Sequence, residues 1–144
     1  MTEVAFHFNA ADKWSYVCRL LRKAVHKGSR VVVAGDPEAL LRLSQGLWAV
    51  SATDFVAHCI VPCEPAVLAA SPVVLCTSPQ AAPHHQALLN LGAGVPDGFE
   101  RFERLIEVVG MDDTDLSSAR VRWKHYRARG YAITRHEIAP KETH

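Results

Sequence analysis

The run Arg30-Val-Val-Val-Ala-Gly35 limits the fold more than any other feature of this chain. Three consecutive β-branched residues favour an extended backbone, and their lack of polar alternation means that neither face is meant for water. Such a strand belongs inside a sheet covered on both sides, and sheets of that kind are built from strands alternating with helices.

The flanking sequence supplies the alternation. Val4–Phe8 reads as a strand, followed by a helix that starts near Asn9 or Asp12. In that helix Trp14, Val17, Cys18, Leu21, Ala24 and Val25 recur at helical spacing, and Gly28 marks its end. Asp36-Pro37 opens a second helix, because proline at the first helical position forfeits no hydrogen bond. Leu40, Leu41, Leu43 and Leu47 give its apolar side and Trp48 closes it. Phe55–Ile60 and Pro72–Cys76 read as strands separated by a patternless loop, VPCEPAVLAAS. After the loop TSPQAAPHH, Ala87–Leu91 reads as a strand, and Gly92, Gly94 and Pro96 break the chain. Phe99, Phe102, Leu105, Ile106 and Val109 then repeat at the spacing of a helix. A last helix is predicted over Asp113–Ala128, stopped by Gly130, with a terminal strand over Tyr131–His136. The expectation is a single three-layer α/β domain over 1–138 with a mostly parallel sheet, and a frayed tail over 139–144.

Size and composition suit that reading. A chain of 144 residues buries roughly two-thirds of its unfolded surface, so no metal or disulfide staple is needed. A formal net charge of +1 argues against DNA binding by global basicity, leaving local clusters of charge. The opening MTEVAFHFNAADKW lacks the pattern of a signal peptide, and no run approaches a membrane span of ~20 apolar residues. A cytoplasmic protein with reduced Cys18, Cys59, Cys63 and Cys76 is expected.

Several kinds of chemistry lack their signatures. The fold class suggests a nucleotide site, yet the turn AGDPEALL has neither G-x-G-x-x-G nor G-x-x-x-x-G-K-[ST], so no cofactor is expected. His58, Cys59 and Cys63 offer zinc-ligand chemistry, but the second close pair of a structural site is missing and no metal is expected. No nucleophile elbow appears, and no catalytic residue is assigned.

The informative segment is ARVRWKHYRARG, Ala119–Gly130. On a helix Arg120, Trp123, Lys124 and Arg127 follow the i, i+3, i+4, i+7 rule and share one face, with Tyr126 flanking them and Arg122 lying elsewhere. Arginine forks hold carboxylates and an indole offers apolar surface, which suits an acidic peptide with a hydrophobic end. The same residues also fit phosphate binding with base stacking on Trp123, or a solvated basic face with Trp123 or Tyr126 turned into the core.

Local motifs along nearly the whole chain resemble the chi subunit family of bacterial DNA polymerase III. They are VAFHF, RVVVAGDPEALLRLSQGLW, DFVAH, LLNLGAGVPDGFERFERLIEVV and RWKHYRARGYAITRH, in that order. The resemblance implies a nucleotide-binding-like α/β domain without a nucleotide, acting as a non-catalytic adaptor within the clamp-loader assembly of a DNA-directed DNA polymerase. It implies two partners. One is the acidic, hydrophobic C-terminal tail of the single-stranded-DNA-binding protein, held by the last helix at Arg120, Trp123, Lys124 and Arg127, with Tyr126 beside them. The other is the psi subunit, or a helicase at the same surface, facing Trp48, Phe55 and Val56. Contact with DNA is then mostly indirect. Three positions depart from the familiar pattern: Leu116 stands where a basic residue is usual, Trp123 where tyrosine is, and Ala57 where proline is.

Overall fold

A computed structural model describes residues 1–49 and 56–138. Seven parallel strands form one sheet in the order β3-β4-β2-β5-β6-β1-β7. These are β1 (Glu3–Ala10), β2 (Val31–Ala34), β3 (His58–Ile60), β4 (Val73–Cys76), β5 (Ala87–Asn90), β6 (Arg104–Gly110) and β7 (Ile133–Glu137). The helices are α1 (Lys13–His26), α2 (Pro37–Ala49), α3 (Pro65–Ala70) and α4 (Asp113–Ala128). The chain is therefore the three-layer α/β domain expected, and the sheet is wholly parallel.

Val31, Val32 and Val33 lie in a strand flanked by β4 and β5 and are buried throughout. Their side chains alternate between two cores. Val31 and Val33 meet Val17 and Leu21 of α1 and Leu40, Leu43 and Leu47 of α2 on one face of the sheet. Val32 faces the other core, which contains Phe6, Leu88, Leu105, Phe99, Phe102 and, from α4, Ala119 and Tyr126.

Two stretches depart from the sequence reading. The apolar series from Phe99 to Val109 is not a helix: Phe99–Arg101 is a single 3-10 turn and Arg104–Gly110 is β6, paired with β1 and β5. A strand buried on both faces is apolar without alternation, so its spacing mimics that of a helix over one or two turns. VPCEPAVLAAS contains α3, whose start carries Pro65 in the first turn and which buries none of its residues. Of the expected strand Phe55–Ile60, residues His58–Ile60 form β3, while Phe55 lies outside the described residues, as does the tail 139–144.

Between His7 and Ala10 the register of β1 against β6 shifts, with Asn9 at φ 74°. Asparagine tolerates this left-handed conformation better than most side chains. The bulge ends the strand and leads into Asp12, whose carboxylate caps α1 by accepting from the Ser15 amide at 3.1 Å.

Candidate functional site: the outer face of the last helix

Helix α4 is fixed at its start and at its middle. Asp112 caps it by accepting from the Asp115 amide at 2.7 Å, and Asp113 and Asp115 stand in the first turn, where the helix dipole favours negative charge. Asp115 also meets Lys13 of α1 at 3.2 Å.

The middle is held by a buried polar cluster. Arg122 is 2% exposed and Glu107 of β6 is fully buried. The Arg122 Nε donates to Glu107 Oε1 at 3.0 Å, and the Tyr126 hydroxyl donates to Glu107 Oε2 at 2.6 Å. The Asn90 amide donates to both carboxylate oxygens at 3.1–3.2 Å. The second arm of Arg122 reaches the Ala93 carbonyl at 2.9 Å and the Ser118 hydroxyl at 2.7 Å. Burial pushes the Glu107 carboxyl up, while the Arg122 guanidinium and the Tyr126 and Asn90 donors pull against it. Burial, then the neighbouring Glu107 charge, pushes the Tyr126 hydroxyl well above its ordinary value.

With Ala119, Arg122 and Tyr126 turned inward, the opposite side of α4 presents cations. Arg120, Lys124 and Arg127 are exposed and form no ion pair among the described residues. Trp123 is half-buried along their flank, its ring 4.9 Å from Phe6 and 6.0 Å from Phe8. Leu116, also half-buried, packs against the same core. Leu116, Arg120, Trp123 and Arg127 thus line one side over about twelve residues of helix, a length of about 16 Å from first to last. An extended peptide of roughly five residues covers that distance at ~3.3 Å per residue.

Tyr126 is corrected by this arrangement. It is wholly buried and committed to Glu107, so it supports the strip from below and offers no surface to a partner. Two residues outside the sequence reading extend the strip. Phe8 of β1 lies beside Trp123, and the guanidinium of Arg135 on β7 sits 4.5 Å over the Phe8 ring. Pairing of β7 with β1 brings them there, and no spacing along the chain announces it. Arg135 is itself held at 2.8 Å by Glu137.

The second predicted surface is divided. Trp48 is 66% exposed at the end of α2, its ring 5.9 Å from His58, and Leu41 one heptad earlier is 55% exposed. Together they form an apolar stripe. Val56 is 2% exposed and belongs to the core, so its side chain is withdrawn from that stripe.

A crevice of about 320 Å³ opens at the carboxyl ends of β2, β4 and β5, where folds of this kind bind nucleotides. Asp36 and Asp97 line it, and no Lys or Arg does. The Asp36 carboxylate accepts from the Ala39 amide at 2.8 Å, taking the helix N-terminus that a phosphate would use. The donor set does not fit a nucleotide. Among the described residues no three His, Cys, Asp or Glu side chains are placed to hold a metal ion, and the four cysteines are free thiols. No helix of the described chain is long and apolar enough to cross a membrane.

Residues 1–134 match the family model described as DNA polymerase III chi subunit, HolC. The chain is 27% identical over 143 residues to the DNA polymerase III subunit chi of Pseudomonas aeruginosa, covering 96% of this chain and 98% of that one. It is 27% identical over 119 residues to the DNA polymerase III subunit chi of Escherichia coli K12, covering 81% of this chain and 80% of that one.

Proposed function

Since the chain belongs to the DNA polymerase III chi subunit family and is thereby a replication accessory subunit, we propose that it works as a non-catalytic adaptor whose α4 strip grips the C-terminal tail of the single-stranded-DNA-binding protein. The observation that carries this reading is the pairing, on one exposed side of one helix, of unpaired cations with a half-buried indole and a leucine. A tail of acidic residues ending in an apolar residue and a free carboxylate complements both halves. Arg120 and Arg127 take carboxylates, and the Leu116–Trp123–Phe8 surface seats the apolar terminus. A phosphate chain would use the cations and leave the apolar seat empty, so the peptide uses more of what α4 offers.

The second contact of the adaptor is the Trp48–Leu41 stripe of α2, proposed as the surface for the psi subunit or, in its place, a helicase. Exposed aromatic side chains of this kind serve as interface anchors. Residues 50–55, including Phe55, adjoin it in sequence. The two surfaces belong to helices on opposite faces of the sheet, so both partners are held at once.

The tail reading is tested by titrating the chain with a tail peptide carrying a free C-terminus, and with the same peptide shortened by its apolar terminal residue. The full peptide is expected to bind and the shortened one to lose most of its affinity. Equal binding of both, or preference for bare single-stranded DNA at this helix, counts against the proposal.

A further inference from the structure

Helix α1 carries a second basic surface, on the other face of the sheet from α4. Lys13, Arg19, Arg22 and Lys23 lie within α1 and Lys27 follows it, with no Asp or Glu among residues 13–28. The whole chain is nearly neutral at +1, so this is strong local segregation of charge. Lys13 is used by Asp115. Arg22, Lys23, Lys27 and Arg42 of α2 form no ion pair among the described residues.

The cations border built hollows. Between α1 and α2 runs a groove of about 460 Å³ lined by Trp14, Arg19, Arg22 and Arg42, and at its end by Asp12, whose carboxylate is taken up in capping α1. The guanidinium of the exposed Arg42 lies 4.6 Å over the Trp14 ring, so the groove wall ends in a flat cationic platform. On the far side of α1 a second hollow of about 270 Å³ is lined by Arg19 and Lys23 with Tyr16 and His136. Arg19 is common to both, so the positive ridge is continuous across the helix.

We propose that this ridge and groove bind the backbone of single-stranded nucleic acid, with the Arg42–Trp14 stack as a platform for a base. A regularly charged polymer suits several cations spread along a ridge. An acidic peptide suits it less, because none of the large exposed apolar side chains lies on α1 to seat an anchor residue. A duplex hides its base faces and leaves the platform unused. The inference does not depend on the tail-binding reading, which concerns α4.

The test is fluorescence anisotropy of a labelled oligothymidine with the full chain, at low salt and without any partner protein. The parent is expected to bind with affinity that falls as salt rises. Arg22→Gln/Lys23→Gln should weaken binding at least tenfold and lower the salt slope by about 1.4, at ~0.7 for each single-strand phosphate no longer neutralised. Arg22→Lys/Lys23→Arg, which keeps the charge, should retain most of it, and Arg42→Ala, outside α1, should weaken it severalfold in a chain whose fold is checked by its melting curve. Arg120→Ala should leave it unchanged and so separates this surface from α4. The proposal is overturned if the parent does not bind the oligonucleotide, if the glutamine pair binds like the parent, if Arg120→Ala is the change that abolishes binding, or if a duplex or a polyglutamate competes as well as the single strand.

Discussion

Glu107 shows how one side chain can be central to this fold and hard to read in sequence. In LIEVV it looks like the solvated position of a helix, and Arg122 in RVRWK looks like one more surface cation. Their 3.0 Å ion pair is buried and fixes the distance between β6 and α4. Removing one partner of such a pair strands the other charge, so Arg122→Ala is expected to destabilise the chain by ~3–5 kcal/mol in denaturant unfolding. The paired change Glu107→Gln/Arg122→Met should cost clearly less than the single one, since no charge is left alone. Tyr126 gives a pH signature. Its hydroxyl titrates higher folded than unfolded, because burial and the Glu107 charge both oppose the phenolate. Its contribution is therefore complete below the unfolded value near pH ~10 and is lost above it, at about 1.4 kcal/mol per pH unit. Alkaline unfolding followed by circular dichroism should decline less steeply above that pH in Tyr126→Phe than in the parent; parallel curves would argue against the buried hydroxyl.

At the scale of elements, the long helices were legible because one face met water and the other did not, whereas the short α3, which buries none of its residues, left no such pattern. α1 and α4 have polar outer sides, and their limits fall where the caps and glycines predict. β2 was legible because three valines admit little else. β6 was not, because burial on both faces removes the alternation that marks a strand, and its one polar interior residue answers to a partner fifteen positions away. The site divides in the same way. Arg120, Trp123, Lys124 and Arg127 follow from helical spacing, whereas Phe8 and Arg135 reach the strip through strand pairing, and Tyr126 left it for a hydrogen bond inside. For α2, the exposure of Trp48 leads to a separable effect. Trp48→Asp should leave the melting temperature nearly unchanged, since surface changes of this kind usually fall within about ±0.5 kcal/mol, yet abolish capture of psi or a helicase. A large drop in stability, or retained capture, would show that the stripe is not the docking surface.

For the whole molecule, the parallel sheet acts as a spacer that keeps functional faces apart. The crevice at its carboxyl ends, the usual seat of a ligand in this architecture, is lined by Asp36 and Asp97, with Asp36 capping α2, and the proposed work has moved to the helices on either side. The proposed adaptor needs surfaces more than a cleft: α4 for a tail on one face of the sheet and, on the other, α2 for a protein partner beside the α1–α2 groove proposed for a nucleic-acid strand. The sheet sets α4 apart from the other two, so damage to the α4 strip should leave them intact, and that strip is where the proposal can be measured most directly. Isothermal titration of the tail peptide into the parent and into Arg120→Ala should show binding weakened roughly ten- to a hundredfold by removal of one charge-assisted hydrogen bond, with capture at α2 unchanged. If Arg120→Ala binds the peptide as tightly as the parent, the strip on α4 is only a solvated basic face and the adaptor account is contradicted.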